Sequence, residues 1–373
     1  MLRALARVNL AAIERNAARM RRELDSRVVL CAVVKANGYG HGAVPAARAA
    51  LAGGASWLAV ATAVEAAELR AAGIGTRILV MGAVSLEELP VALAADADLV
   101  AWSERFVSAV AAAANTDRRA RVHVKLDTGM GRLGTRVLGD AVAVAGLVYG
   151  EPSLELAGAM THFATADSDL EFVRAQLECF APFVAELRRI HPGVVVHAAN
   201  SAAVLNEPAS HFDLVRCGIA LYGLDPMNEC AEDRGLEPAL ELSSYVAAFK
   251  AAAPGESTGY GRLFVTDRET RIATLPIGYA DGIRRAFTNN LDVLIEGRRH
   301  PLVGAVSMDN ITVELAGAES VEPGAPATII GANGQERQTA EDLAAKIGTI
   351  NYEIVCGISG RVPRAYHRDG VPM

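Results

Sequence analysis

The sequence predicts an α/β protein: a (β/α)8 TIM-type barrel with a second, mostly β C-terminal domain. Three observations predict it. Eight short apolar runs alternate with alanine-rich helical segments over roughly 200 residues, the pattern of a closed parallel barrel. No GxGxxG follows the first run, which weakens an open doubly wound sheet as the alternative. After about Gly235 the texture changes to short β-type runs separated by Gly, Pro, Asn and Asp turns.

The elements follow in order. Residues 1–10 read as an extended segment packing with the C-terminal domain. Leu10, Ile13, Ala17, Met20 and Leu24 then recur at helical spacing, with Asn9 in the N-cap position. The first apolar run, 28–34, is rich in β-branched residues and suits a strand buried on both faces. Further runs fall near 57–60, 77–81, 97–101, 121–126, 154–160, 194–198 and 212–217. The barrel is expected over 11–235 and the β domain over 236–373. Within the latter, runs at 242–249, 271–276, 291–296, 301–307, 311–315 and 326–330 read as strands, and Asn333-Gly334 as a tight turn.

Composition narrows the class. The 373 residues are 51% hydrophobic and 21% charged, the balance of a globular chain too long for one ordinary core. The net charge of −7 argues against a nucleic-acid binder. No apolar run is long enough to span a bilayer, and no membrane partner is expected. Five dispersed cysteines without a CxxC pair fit a reducing cytoplasm and offer no metal framework, so no metal is expected.

The unusual residues sit at the C-terminal ends of the barrel strands, where functional groups of such barrels gather. Lys35 ends the first strand. A buried ammonium is costly, and a neutral amine is the nucleophile that forms a Schiff base. Taken alone, Lys35 reads more readily as a snorkelling strand-end lysine. Arg132 follows the fifth strand in a glycine-rich loop, and His162 closes the sixth. Alone, His162 reads as a hydrogen-bonded core histidine. Asn200-Ser201 follow the seventh strand and could place helix N–H groups toward a phosphate, or simply cap a helix. Arg216 ends the eighth strand and needs an acceptor: a structural ion pair, or the neutral nitrogen of a pyridine ring.

These segments resemble the alanine racemase family over nearly the whole chain. The resemblance runs through Ala32–Gly42, Lys125–Gly134, Thr161–Ala164, Asn200–Ala202, Arg216–Gly223, Gly259–Gly261, Gly278–Gly282 and Ser307–Asp309. It implies an isomerase: a pyridoxal 5′-phosphate (PLP) barrel, a β C-terminal domain, and a homodimer with active sites shared between subunits. The substrate would be a small amino acid, L- and D-alanine being interconverted to supply peptidoglycan. Racemisation uses two bases on opposite faces of the α-carbon. The resemblance makes Lys35 the cofactor anchor and one base, and Tyr260 of the partner subunit the other. It puts Tyr39, Ser201, Gly218, Ile219 and Tyr222 around the phosphate, with Asn200 beside them. Arg216 would face the pyridine nitrogen and His162 would link it toward Tyr260. Arg132 would lie near the phenolic oxygen. Lys125 matches a lysine carbamylated in some members, where it orients the arginine at position 132. Met308 and Asp309 would contact substrate, and Asp167, Tyr279 and Arg285 would line its access corridor. Taken by itself, Tyr260 is a turn tyrosine between two glycines.

Two positions depart from the family pattern. Gly360 stands where many members have a tyrosine, and Ala305 where an arginine often lines the corridor. The expectation is a roomier gate that admits serine as well as alanine. A barrel-type PLP decarboxylase is the nearest alternative, disfavoured by Arg216 and Ser307-Met308-Asp309. A non-catalytic PLP carrier would lack the β domain that bears Tyr260.

Overall fold

A computed structural model describes residues 2–318 and 320–373. Eight parallel strands close a barrel: Val29–Val33, Trp57–Val60, Arg77–Val80, Ala97–Ala101, Ala120–Lys125, Leu154–Met160, Val195–His197 and Leu214–Cys217. The first strand pairs with the eighth, Val29 opposite Leu214, which completes the ring. Each strand is short and almost wholly buried, so continuous apolar runs rather than alternation mark it in the sequence.

Local signals set the helices between them. Asn9 Oδ1 accepts from the Ala11 N–H at 3.1 Å at the head of helix Leu10–Arg22. Ile13, Ala17 and Met20 on that helix are fully buried. Helix Ala63–Ala71 begins with a capping box between Thr62 and Glu65. Ser103 and Asp169 cap Glu104–Ala113 and Leu170–Ile190.

The chain divides into two compact units, Ile13–Leu221 and the residues up to Ala12 together with Tyr222–Met373. Residues 222–235, placed by sequence with the barrel, belong to the second unit. There Asp225 is buried, and its N–H donates to Glu341 at 3.1 Å while its carbonyl accepts from Asn351 at 2.8 Å.

The second unit is built on an eight-stranded sheet with a three-stranded and a two-stranded sheet. The strand Leu5–Asn9 lies in the large sheet, antiparallel to Leu240–Tyr245 and parallel to Arg364–Arg368. Two expected strands differ. The run 242–249 is two strands, Leu240–Tyr245 pairing with Pro326–Asn333 and Ala248–Ala252 with Thr270–Leu275. The break is hidden because Val246 between them is apolar and fully buried. The run 301–307 is mostly loop. The strand there is Arg298–Pro301, and Gly304, at φ 80°, turns the chain away from an extended path. Two helices, Ala340–Ile347 and Asn351–Cys356, lie among the strands. Among the described residues no helix is long and apolar enough to cross a membrane.

Candidate active site

The first barrel strand ends in an unusual turn. After Val34 and Lys35 the chain takes left-handed conformations at Ala36 (φ 52°), Asn37 (φ 53°), Gly38 (φ 61°) and Tyr39 (φ 52°). Three of these carry side chains, for which left-handed backbone is unfavourable. The surroundings enforce it. Glu65 accepts from the Ala36 N–H at 2.6 Å, and Asn37 Oδ1 accepts from the Ala43 N–H at 2.9 Å. Glu65 escaped the sequence reading because it also completes an ordinary capping box. The turn leaves Lys35 half-buried and Tyr39 buried. Tyr39 lies against Gly218, where an added Cβ would collide with the phenolic oxygen. Gly218 N–H in turn donates to Ser201 Oγ at 2.9 Å. Asn200 is the N-cap of helix Ser201–Asn206, accepting from the Ala203 N–H at 3.0 Å. Tyr39, Ser201 and Gly218 are therefore brought together, with Ile219 buried in the next turn.

Arg216 is buried at the end of the eighth strand. It donates to Thr161 O at 2.9 Å, Ala198 O at 2.8 Å, His197 Nδ1 at 2.6 Å and His162 Nδ1 at 3.1 Å. All four partners are neutral acceptors, so the sequence alternative of a structural ion pair is not what holds it. Burial lowers its pKa to about 10, which still leaves it charged. His162 is held well below the ordinary histidine range by burial, then by the charges of Arg216, Lys125, Arg132 and Lys35. Four cations from three strand ends, the first, fifth and eighth, thus bear on one imidazole. Because an arginine N–H can only donate, His162 Nδ1 accepts and its remaining proton sits on Nε2.

Lys125 is the last residue of the fifth strand and is buried. Burial first, then Arg216 and Arg132, bring its pKa down to about 8. Arg132 is exposed in the loop that follows. Asp127 anchors that loop, accepting from the Gly129 and Gly131 N–H groups at 3.1 and 3.0 Å. Asp167 is exposed after the sixth strand.

The remaining predicted residues lie in the second unit. Tyr260 heads the turn Tyr260–Arg262 and is 75% exposed. Tyr279 N–H donates to Ser307 O at 3.0 Å, and Ala280 N–H to Met308 O at 3.0 Å, which brings Tyr279 and Met308 side by side. Both side chains are exposed, at 42% and 52%. Asp309 accepts from Arg361 at 2.8 Å. Arg285 starts the turn Arg285–Phe287, and Tyr222 is buried. Ala305 is buried, whereas a Cβ at Gly360 would meet nothing within 4 Å.

Family comparisons agree with this layout. Residues 8–226 match the alanine racemase N-terminal domain and residues 239–366 the alanine racemase C-terminal domain. The chain belongs to the alanine racemase family. It is 44% identical to an alanine racemase of Thermobifida fusca over 97% of both chains. It is 39% identical to alanine racemase 2 of Caldanaerobacter subterraneus, covering 96% of this chain and 93% of the relative. Among solved structures, the alanine racemase of Bacillus anthracis with bound L-Ala-P superposes with a TM-score of 0.93 at 38% identity, over 100% of this chain and 97% of that one. Alanine racemases are PLP-dependent isomerases, and the residues present fit that cofactor. The close approach of Tyr39 to Gly218 admits no side chain at 218, and Arg216 is a buried cation whose partners are all neutral.

Proposed function

We propose that the chain interconverts L- and D-alanine with PLP held at the barrel mouth, in a homodimer with shared active sites. Lys35 anchors the cofactor and exchanges the α-proton on one face of the substrate. Tyr260 of the partner subunit exchanges it on the other. We assign the activity to the cytoplasm, supplying D-alanine for peptidoglycan. The observation that carries this reading is the buried Arg216, held by neutral acceptors that include His162, two residues before the Gly218 that packs against Tyr39 and Ser201.

When bound, PLP supplies the electron sink that makes the substrate α-proton acidic. The chain's own residues do the rest. Tyr39, Ser201, Gly218, Ile219 and Tyr222 would hold the phosphate, with Asn200 capping the helix beside it. Arg216 would donate a hydrogen bond to the ring nitrogen while keeping its proton, since its pKa remains about 10. A guanidinium is too weak an acid to protonate the ring, which restrains side reactions. A phenol with a pKa near ~10 is a poor base at neutral pH. The Nε2–H of His162, backed by Arg216, is the donor that would stabilise the partner's Tyr260 as a phenolate. Arg132, oriented by Lys125, would lie near the phenolic oxygen of the cofactor, and Met308 and Asp309 of the partner subunit near the substrate carboxylate. Asp167, Tyr279 and Arg285 would line the approach.

The test is incubation of purified protein with PLP and L-alanine, followed by chiral chromatography. D-alanine accumulating to an equal mixture supports the assignment, and unchanged L-alanine refutes it. A second reading, a racemase that also takes serine, is favoured by the open space at Gly360. Comparing alanine and serine turnover checks it, and no serine turnover removes it.

A further inference from the structure

Two side chains in the barrel interior, unused so far, extend a line of hydrogen bonds through His197 to Arg216. Asp98, near the start of the fourth strand, is fully buried. Its carboxylate accepts from Arg121 Nε and Arg77 Nη2, each at 2.5 Å. His123 Nε2 lies 3.1 Å from Asp98 Oδ2, and His123 Nδ1 lies 2.8 Å from His197 Nε2. His197 Nδ1 then meets Arg216 at 2.6 Å. Arg121, His123 and Lys125 alternate along the fifth strand, so all three face inward.

The backbone is shaped to admit this line. The pairing of the fifth and sixth strands shifts register between Val122 and His123, which sets His123 opposite Gly158. An added Cβ at 158 would overlap the His123 ring. Trp57 closes the ring's other side edge-on at 6.0 Å, itself covered by Arg77 at 4.0 Å.

The protons can be assigned from one end. Arginine only donates, so His197 Nδ1 accepts. Burial, then the Arg216 charge, hold His197 well below the ordinary histidine range, so it is neutral with its proton on Nε2. That proton points at His123 Nδ1, which must accept. His123 therefore carries its proton on Nε2, aimed at Asp98. Burial opposes the charge on Asp98, but the His123 bond and the charges of Arg77 and Arg121 hold its carboxyl below the ordinary range. Each contact then has one donor and one acceptor. Reversing the line would turn His197 Nδ1–H against an arginine N–H.

We propose that Asp98 and His123 are positioning residues for the reaction: from the opposite end of the barrel they fix the tautomer of His197 and thereby aim the Arg216 guanidinium. The proposal rests on Arg216 facing the cofactor ring.

Histidine tautomers in 15N-labelled holoenzyme, read by two-bond 1H–15N correlation at neutral pH, test the polarity without reference to catalysis. His123 and His197 are expected as Nε2–H tautomers. A protonated Nδ1 on either overturns the proton assignment even if every variant is inactive. Kinetics test the consequence. His123→Phe fills the space without donor or acceptor, whereas His123→Gln keeps both. The Phe variant is expected to lose about tenfold in kcat, the rate equivalent of one charge-assisted hydrogen bond, with KM for L-alanine changed less than about twofold. The Gln variant is expected to recover most of that loss. Phe performing as well as Gln would reduce His123 to packing and sink the proposal. Asp98→Asn places an amide that can donate opposite His123 Nε2, which sets the reversed line against the preference of Arg216, and is expected to lower kcat and mix the His197 tautomers. Mixed tautomers with unchanged kcat would also overturn it. If Arg216→Ala racemises normally, the assignment of Arg216 itself fails, while the tautomer result stands or falls separately.

Discussion

The barrel unit and the β unit offer their functional groups in opposite ways. In the barrel, Arg216 and His197 are buried and hydrogen-bonded to each other within the same unit, and Lys125 is buried there too. In the β unit, Tyr260, Tyr279 and Met308 are exposed, and Tyr260 projects from a two-glycine turn at 75% exposure. A large exposed aromatic is informative only when its neighbours are exposed too. Here Leu263 and Val265 beside Tyr260 are likewise exposed. The contrast teaches that the barrel orders its polar groups within itself, whereas the β unit leaves large side chains exposed, the ones that the proposed sharing of sites would use.

The sharpest way to break the comparison is to remove the barrel's anchor. Lys35→Ala should lose activity by more than about a thousandfold, since a base and an attachment point vanish together. Its visible absorbance should be that of free PLP, lost on desalting. A retained band would refute the anchor. Next comes the sharing of sites. Lys35→Ala and Tyr260→Phe, each inactive as a homodimer, should regain activity when unfolded together and refolded. Random pairing gives half heterodimers with one intact site of two, hence about a quarter of wild-type activity. No recovery would place both residues in one chain's site.

Lys125 probes the cost of burying charge in the barrel. Its folded pKa of about 8 lies below that of an unfolded lysine, near ~10.4. Below pH 8 the folded state must bury the proton. Between these values the unfolded chain holds a proton that the folded chain has released, so stability rises with pH across that window. Lys125→Met should stabilise the protein at pH 7 by about 3 kcal/mol and flatten this rise. Urea unfolding at pH 7 and pH 9.5 checks the sign, and an unchanged slope would contradict it.

The smallest effect belongs to the corridor. A Cβ at position 360 meets nothing within 4 Å, and Gly360→Tyr should lower the serine-to-alanine turnover ratio by about fivefold. An unchanged ratio would remove Gly360 from the gate.

Much of this was legible in the sequence. The apolar runs located all eight barrel strands, because both faces of each are buried. Lys35, His162 and Arg216 were legible as polar residues where those runs end. Asp98 and His197 were not, because one polar residue inside an apolar run looks the same whether it faces the barrel axis or a helix, and the alternation of Arg121, His123 and Lys125 marks a shared face without saying which. The register shift at Val122/His123 and the space left by Gly158 decide that, and neither has a sequence signature. Helices Ala340–Ile347 and Asn351–Cys356 were missed because they are short inserts in a turn-rich stretch.

The most direct measurement is α-proton exchange in deuterium oxide, followed separately from L-alanine and D-alanine, in wild-type and Tyr260→Phe protein. Two bases on opposite faces predict exchange from both enantiomers in the wild type and selective loss from one in the variant. Equal loss from both, or no loss from either, would contradict the two-face account.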